Sequence, residues 1–561
     1  SDAQLLNSPY GEVAYELFRK LRRAIADKSG IIKYLDDIAT TKYPVLLRPR
    51  RFGKSTFVQM LKCFYDISYA SQYEELFSKT AIYNEHLASH NSYHVLDFDF
   101  SSVSGIKEDT LIRSFIIAIN SGINDFLVRY PDFVFNPTDA EKETPSGFFT
   151  SFVDAYKRYP AKKSLYLLID EYDNFANSVL SQDLELFRAI TGSGGFLKGF
   201  YAAVKEGTKR YVAKTFITGV SSVSLDSLTS GFNIALNVTS DKCFNEYAGF
   251  TEDELRKLIS ELVDLKALGT TAEELIAIMK PVYDGYCFSS ESSNTVFNSS
   301  MCLYYLDKVR KKADILPPEY YMDPASDHDG SKLQQLFAIA EEGLANNILG
   351  NYLTGRSFSI VNLTENINLN KQSSYNEVQL LSMLYYLGYL TIDPEPVPDG
   401  RLALRIPNLF MSRLFAQCTS DMRFRSRREF TDPVLDISAL LDLKDDIASF
   451  ASSCTEFLSG ICTNQVLTHM SEMALNLALY TKLDSMRTVY VEMQKSLRVV
   501  GEGEQYADLV ITVNADSPSE CTYLIELKYS ARDASESELA AKHKDGLDQL
   551  AKYRADKSVP S

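Results

Sequence analysis

The sequence predicts an α/β protein whose N-terminal part is a mostly parallel β-sheet covered by helices. Two observations support this prediction. Apolar strand candidates lie at residues 43–47, 93–100, 165–169 and 213–219. Amphipathic helical stretches separate these candidates, and strands that alternate with helices are typical of a parallel sheet with crossover helices on its faces.

The middle of the chain is mainly helical. A helical run at 380–388 precedes two short strand candidates at 389–392 and 401–405, which are joined by a turn containing Pro, Asp and Gly. A helix followed by such a hairpin predicts a winged-helix-like unit.

The last part of the chain has its own alternating pattern. Helices are predicted near 465–479 and 537–553, and strands near 488–493, 508–513 and 522–528. This pattern indicates a separate, smaller α/β unit. The predicted domain boundaries are 1–275, 276–425 and 426–561.

Composition narrows the classes of function. The net charge of −16 weakly opposes a passive nucleic-acid coat, although a local basic channel stays compatible with it. Eight cysteines without a CxxC pair favour a reducing, intracellular and cytoplasmic setting over a disulfide framework or a zinc knuckle. The sequence contains no run of 18 or more apolar residues, so no membrane span is predicted.

The strongest motif is RPRRFGKS at residues 48–55, between a predicted strand and a predicted helix. Its end matches the P-loop pattern GxxxxGK[ST], in which backbone amides at the start of a helix surround phosphate oxygens. Lys54 is expected to reach the β- and γ-phosphates, and the Ser55 hydroxyl to ligate Mg²⁺. Arg48 occupies the position of the first glycine, so the motif alone is imperfect.

A second element supports the same site. The apolar run Leu167–Ile169 is followed by Asp170 and Glu171. Ligands of open α/β sheets bind beyond the carboxyl ends of the strands. We expect Asp170 to hold the metal, Glu171 to polarise the attacking water, and Thr218 to sense the γ-phosphate. The predicted nucleotide-binding residues are Arg50, Arg51, Phe52, Gly53, Lys54, Ser55, Thr56, Asp170 and Thr218.

Several strings together resemble one family. RPRRFGKS, LLIDEYDN (167–174), FITGVSSVS (216–224), SGFNIAL (230–236) and YAGFTEDEL (247–255) occur in the order typical of AAA-ATPase-like proteins, and YDGYCF (283–288) and IPN (406–408) also resemble signatures of that family. The resemblance covers nearly the whole chain, and Arg at position 48 is usual in it. It implies a P-loop NTPase fold of the AAA/STAND type and ATP with Mg²⁺ as cofactors. AAA-like modules often form multimers, so a homo-oligomer is compatible with the resemblance.

The same family commonly carries a C-terminal PD-(D/E)xK nuclease-like domain, which implies a restriction-endonuclease-like α/β fold for residues 426–561. Asp508 and Glu526 match the two acids expected to hold Mg²⁺, and Lys528 matches the lysine that stabilises developing charge. Gln549 and Tyr553 match the accessory Q-x3-Y pattern. Further candidate acids are Glu472, as a metal ligand, and Glu492.

Two further features are weaker evidence for a functional site. His86, His90 and His94 have a spacing that would allow metal binding on one continuous helix, but Asn91 and Ser92 favour an end of that helix and hence a histidine cluster without a metal. The basic cluster at 423–428 is compatible with nucleic-acid contact, with an arginine finger, or with a solvated linker.

The sequence therefore predicts an ATP-binding and ATP-hydrolysing protein coupled to a metal-dependent nuclease that acts on DNA or RNA. Two rivals stay open. One is a nucleotide-switched protein that binds nucleic acid without cutting it. The other is a regulatory NTPase whose nuclease-like domain is inactive and serves as an interaction surface.

Overall fold

The computed structural model defines the architecture of most of the chain. The residues that it describes are 5–37, 42–180, 182–315, 327–341, 343–353, 358–365, 367, 374–394, 400–415, 418, 435, 437, 440, 447–461, 472–484, 489–499, 503–513, 521–528 and 534–554. The basic cluster at 423–428 lies outside them.

Five parallel strands form the N-terminal sheet in the order β2-β3-β4-β1-β5. The strands are β1 (Pro44–Leu47), β2 (His94–Asp99), β3 (Leu165–Asp170), β4 (Val212–Gly219) and β5 (Leu236–Asn237). Four of them are the strands predicted from the apolar runs. Because Leu47 pairs with Gly219 and Asp99 with Asp170, the carboxyl ends of β1 to β4 meet at one edge of the sheet.

Helices cover this sheet and bury its apolar residues. Helix α5 packs on β2, and α3 packs on β2 and β3. The helices of this part are α1 (Tyr15–Lys20), α2 (Ile32–Asp36), α3 (Lys54–Tyr65), α4 (Tyr73–Phe77), α5 (Glu108–Arg129), α6 (Pro145–Lys157), α7 (Asn174–Leu180), α8 (Leu184–Thr191), α9 (Phe196–Thr208), α10 (Leu225–Gly231) and α11 (Glu252–Leu262).

Helix α5 is long and apolar enough to cross a membrane by length and composition. Its inward residues Leu111, Phe115, Ile119 and Phe126 are buried, and the helix packs on β2. A core helix of a soluble domain passes the same test, so this observation is weak support for a membrane span.

The middle region contains helices and a small antiparallel sheet. Its helices are α12 (Ala272–Tyr283), α13 (Ser299–Lys312), α14 (Asp327–Ala338), α15 (Leu344–Leu353) and α16 (Glu377–Leu387). The sheet has the order β6-β8-β7, with β6 (Phe358–Ile360), β7 (Thr391–Ile392) and β8 (Leu402–Arg405). The predicted helix and hairpin are confirmed as α16 and the antiparallel pair β7–β8. Strand β6 was not predicted.

The segments YDGYCF and IPN contact each other. Gly285 has φ +98°, and a Cβ atom there would lie 2.0 Å from the Pro407 carbonyl oxygen. The Asn408 side-chain amide donates to the Asp284 carbonyl oxygen at 2.8 Å. Only glycine permits this approach of the two backbones.

The C-terminal unit has three antiparallel strands in the order β11-β10-β9. They are β9 (Val489–Val499), β10 (Gly503–Val513) and β11 (Cys521–Ile525), and the described helices around them are α17 (Ile447–Ile461), α18 (Glu472–Asp484) and α19 (Glu536–Tyr553). The predicted strands and the last helix are at the expected places. Residues 472–479 of the helix predicted at 465–479 lie in α18, and residues 465–471 lie outside the described residues.

The three histidines do not share a helix. His86 has φ +48° at the end of a 3-10 turn, His90 stacks on Tyr73 with ring centroids 3.9 Å apart, and His94 is a buried residue of β2 that bonds the Tyr156 hydroxyl at 2.6 Å. The interpretation of these residues as ordinary structural histidines is confirmed.

Arg48 fixes the chain at the start of the P-loop. Its side chain is 1% exposed. The guanidinium donates to the carbonyl oxygens of Leu47, Thr239 and Phe244 at 2.6–2.7 Å, and it stacks on the Phe288 ring at 4.2 Å. Because buried carbonyl groups need donors, Arg48 joins β1 to the segment after β5.

This arrangement predicts that Arg48→Gly is destabilising although glycine is the usual P-loop residue at this position. The change removes three charge-assisted hydrogen bonds from a buried site, so the free energy of unfolding should fall by roughly 3–5 kcal/mol. Urea unfolding followed by circular dichroism measures it. The control Arg210→Gly removes a half-exposed arginine paired with Asp154 and should change stability by less than about 1 kcal/mol. Equal effects of the two changes would contradict the anchoring role.

Candidate functional site

The start of α3 offers free backbone donors. The residue before the helix is Gly53, with φ +84°, and no side chain caps the helix. Left-handed backbone at this position favours glycine, and Arg51 is also left-handed at φ +70°. Since the first amides of a helix lack partners within it and carry the positive end of its dipole, this turn is suited to bind an anion.

Lys54 lies beneath the loop that precedes it. Its side chain is 4% exposed, and Nζ donates to the Pro49 carbonyl oxygen at 3.0 Å. The lysine therefore stabilises the loop in the absence of a ligand and lies next to the first turn of α3. A phosphate oxygen at that turn would offer it a stronger, charge-assisted partner.

Asp170 ends β3 beside the same helix. It is 5% exposed, its Oδ1 accepts the Glu171 amide proton at 2.9 Å, and the Ser55 side chain lies near enough to affect its ionisation. Burial raises the pKa of Asp170 to about 7, with a further rise from Glu171, while the nearby Ser55 hydroxyl and Lys54 oppose the shift. The structure thus brings the P-loop and the acid strand together.

The acidic groups here outweigh the cation beside them. Asp99 pairs with Asp170 across β2 and β3, and it also raises the pKa of Asp170. Glu171 follows with a left-handed backbone at φ +54°. A buried carboxylate with two acidic neighbours is a chemically suitable ligand for a divalent cation, which would relieve their repulsion.

The remaining P-loop side chains contact protein groups. Arg50 donates to Asn174 Oδ1 at 2.8 Å, and Arg51 forms an ion pair with Asp329 at 2.9 Å. Phe52 is buried with its ring against the edges of Tyr286 and Phe288. The Phe52 side chain is therefore a packing anchor, and only its backbone is available to a ligand.

The structure does not support the predicted role of Thr218. The side chain is fully buried, and its hydroxyl donates to the Leu46 carbonyl oxygen at 2.6 Å. That bond joins β4 to β1 inside the sheet. Thr218 therefore acts in the packing of the site, and a γ-phosphate contact would require it to leave the core.

An apolar pocket of about 130 Å³ lies beside α3. Gly53, Thr56 and Met60 form one wall, and residues 9–12 and 247–250 form others. The pocket adjoins the uncapped first turn of α3. The contribution of residues 9–12 was not predicted from the sequence, and the string YAGF at 247–250 was noted there only as a family signature.

The C-terminal residues also come together. Antiparallel pairing of Leu509 with Ile525 places Asp508 beside Glu526. Glu526 accepts hydrogen bonds from Lys528 Nζ at 2.9 Å and from the Tyr553 hydroxyl at 3.3 Å. Burial raises the pKa of Glu526, and Asp508 adds to the rise while Lys528 opposes it.

Both Asp508 oxygens already have hydrogen-bond donors. Oδ2 accepts from the Leu527 amide at 2.8 Å, and Oδ1 accepts from Asn476 Nδ2 at 3.3 Å. Asn476 is buried on α18, and sequence reasoning missed it because an asparagine on a helix carries no motif. It lies one turn after Glu472, whose side chain is outside the described part of the structure.

The other predicted nuclease residues differ in their surroundings. Gln549 Oε1 is buried without a hydrogen-bond partner among the described residues. Glu492 is buried on β9 opposite Val510, on the face that Asp508 shares. Within the ranges that the structure describes, no group of three His, Cys, Asp or Glu side chains is arranged to hold a metal ion.

Comparison with known proteins bears on the N-terminal part. Residues 9–229 match the family model described as a predicted AAA-ATPase. No curated protein matches the chain. Among solved structures the chain is similar to a chain of "Structure of Drosophila ORC bound to DNA", at 9% identity over 74% of this chain and 95% of that chain. The TM-score is 0.27, a likeness too slight to support an inference.

The matched residues include the P-loop, the acid strand and β4. The part of the chain that is similar to the predicted AAA-ATPase family therefore contains most of the five-stranded parallel sheet and the candidate site at its edge. The match ends before the middle region and before the C-terminal unit.

The raised pKa of Asp170 predicts a pH-dependent cost to stability. The folded pKa of about 7 exceeds the ordinary 3.8, so this group favours folding at low pH, and that contribution is lost as the pH rises towards 7. In EDTA at pH 8, Asp170→Asn should therefore raise the free energy of unfolding by about 1–3 kcal/mol. The gain should fall to roughly a third near pH 5, since the carboxyl of the unfolded chain ionises from about pH 3.8 upwards.

Urea unfolding at both pH values measures this difference. Asp226→Asn, at an exposed position of α10, is the control and should give no pH-dependent gain. A variant at Asp170 that is less stable than the wild type at pH 8 would contradict the proposed charge imbalance.

Proposed function

We propose that this chain binds ATP with Mg²⁺ and hydrolyses it. The observation that carries the proposal is the meeting of three groups at one edge of the sheet: the uncapped first turn of α3, the buried Lys54, and the buried Asp170 close to Ser55. Backbone donors, a lysine and a metal-binding acid are the parts that phosphoryl transfer from a nucleoside triphosphate requires.

Each residue has a role in this proposal. The amides of residues 50–55 bind the phosphate oxygens, and Lys54 exchanges the Pro49 carbonyl oxygen for the β- and γ-phosphates. Ser55 and Asp170 are the residues that hold Mg²⁺, which supplies charge neutralisation at the phosphates. Glu171 orients and polarises the attacking water. The apolar pocket beside Thr56 accepts the base.

We further propose that the C-terminal unit is a metal-dependent nuclease of the PD-(D/E)xK type acting on DNA or RNA. Its support is the cluster of Asp508, Glu526 and Lys528, with Tyr553 bonded to Glu526. Two adjacent carboxylates are suited to hold Mg²⁺, and Lys528 is placed to stabilise developing negative charge. In this proposal the ATPase part regulates access of nucleic acid to that cluster.

One observation favours a second candidate. The carboxylate of Asp508 is satisfied on both oxygens by Leu527 and Asn476, so a metal would have to displace a donor or share an oxygen with it. A nucleotide-switched protein that binds nucleic acid, or a regulatory NTPase with an inactive nuclease-like unit, would show the same internal bonding.

For the ATP site, Lys54→Ala is expected to weaken binding of a non-hydrolysable ATP analogue by about 10- to 100-fold, because a buried charge-assisted contact is worth about 1.5–3 kcal/mol. Isothermal titration calorimetry measures the affinity. Lys209→Ala is the control, since this exposed lysine pairs with Glu206 on the surface. An unchanged affinity of the Lys54 variant would refute the P-loop assignment.

For the nuclease, the wild type should cleave single- or double-stranded DNA or RNA with Mg²⁺ or Mn²⁺, and Asp508→Asn should abolish cleavage while keeping the shape of the side chain. Asp548→Asn, at an exposed position of α19, should cleave like the wild type. Gel assays with and without ATP measure both. Binding without cleavage by the wild type would favour the second candidate, and cleavage by the Asp508 variant would exclude this cluster as its source.

A further inference from the structure

A second and larger cavity adjoins the P-loop. Its volume is about 660 Å³, and it shares only Phe52 with the apolar pocket beside α3. The walls come from residues 49–52, from residues 101–104 after β2, from α7 and from α14 of the middle region. A volume of this size is typical of a site for a small molecule.

The charges that face this cavity are unbalanced. Its lining contains three cations, Arg50, Arg51 and Lys332, and one carboxylate, Asp329. Asp329 is already paired with Arg51 at 2.9 Å, and within the described part of the chain Arg50 hydrogen bonds only with the neutral side chain of Asn174. The cavity therefore has a net positive charge that its own walls leave uncompensated.

Lys332 is the clearest sign of this excess. Among the described residues it has no hydrogen bond or ion pair, although it is only partly exposed. Burial lowers the pKa of Lys332 to about 8, and Arg50 and Arg51 lower it further, against the opposite effects of Asp329 and Glu171. An ammonium group that is buried beside guanidinium groups is energetically costly, and an anionic ligand would reduce that cost.

The rest of the lining is mixed. Hydroxyl and amide side chains are among its members, including Ser101, Ser102, Ser104, Asn177, Gln182 and Gln335. Leu336 and Met383 are among the apolar members. Such a lining is suited to a molecule with a phosphate end, several hydrogen-bonding groups and a flat or apolar body.

We propose that this cavity is a second ligand site, separate from the ATP site, for a phosphorylated small molecule of about nucleotide size. The phosphate groups bind Lys332 and Arg50. Arg50, Arg51 and Phe52 line this cavity, whereas Gly53, Lys54, Ser55, Asp170 and Glu171 do not, so it adjoins the ATP site without coinciding with it. Its volume of about 660 Å³ favours a small molecule over a polymer.

A ligand at this position would join two parts of the chain. The P-loop supplies Arg50 and Arg51, and α14 supplies Asp329 and Lys332. A bound ligand would therefore favour one position of α14 relative to the P-loop. If the ligand changes the affinity of the protein for ATP by some factor, ATP must change the affinity for the ligand by the same factor.

The test uses inorganic pyrophosphate as the probe and full-length Lys54→Ala protein, in which phosphate binding at the ATP site is weakened. Calorimetry should detect pyrophosphate binding to this protein. Adding Lys332→Gln should weaken it by about 10-fold or more, as expected for loss of a charged contact. Adding Gln335→Glu at an exposed position should also weaken it through repulsion, and adding Lys209→Gln should change it less than about 2-fold.

Wild-type protein saturated with a non-hydrolysable ATP analogue should bind pyrophosphate as well. The proposal is overturned if the analogue prevents that binding, since the anion site would then be the end of the ATP site, or if Lys332→Gln has no effect. Displacement of the probe by a 5′-phosphorylated oligonucleotide, but by no nucleoside monophosphate, would make the occupant a nucleic acid and overturn the small-molecule assignment. If the wild type fails to bind the ATP analogue, only the ATP proposal is refuted. The pyrophosphate measurements on the Lys54→Ala variants still show whether the cavity binds an anion.

Discussion

The parallel register of β1, β4 and β3 is the constraint on which the N-terminal site depends. It brings the carboxyl end of the strand before the P-loop and the end of the acid strand to one edge. Ser55 and Asp170 then lie close together although they are distant in sequence. Arg48 maintains this edge because its guanidinium satisfies three carbonyl oxygens around the strand end. The same buried arginine explains why a glycine is unnecessary at that position.

The site holds like charges close together, and a ligand of opposite charge would relieve their repulsion. Asp170 is buried beside two other acids and has a pKa raised to about 7, while the cavity beyond Arg50 has excess positive charge around Lys332. An excess of negative charge on one side of the loop and of positive charge on the other lowers the stability of the protein without ligands. Metal binding on the acidic side and phosphate binding on the basic side would neutralise both. Such sites commonly reduce stability in exchange for binding.

Sequence reasoning predicted the parts of the fold that have strong local patterns. The apolar runs predicted β1 to β4, and the motif GKS at residues 53–55 predicted the start of α3. Both signals depend only on residues that are neighbours in the sequence. Thr218 was misjudged because the direction of a side chain within a sheet depends on which strands flank it. The pocket beside residues 9–12, the Arg51–Asp329 ion pair and the donors to Asp508 join residues far apart in sequence, so no local pattern could reveal them. The C-terminal cluster was anticipated through a resemblance to a family, and its chemistry stays a proposal.

The central claim is that the first turn of α3 holds a triphosphate whose metal is bound by Ser55 and Asp170. A crystal structure with Mn²⁺ and a non-hydrolysable ATP analogue tests it most directly, because anomalous scattering locates the metal. The account predicts a metal within about 2.2 Å of Ser55 Oγ, as expected for an octahedral ion of this size, with Asp170 bound to it directly or through one water. A metal and triphosphate located away from α3, with the Ser55–Asp170 contact unchanged, would contradict the account.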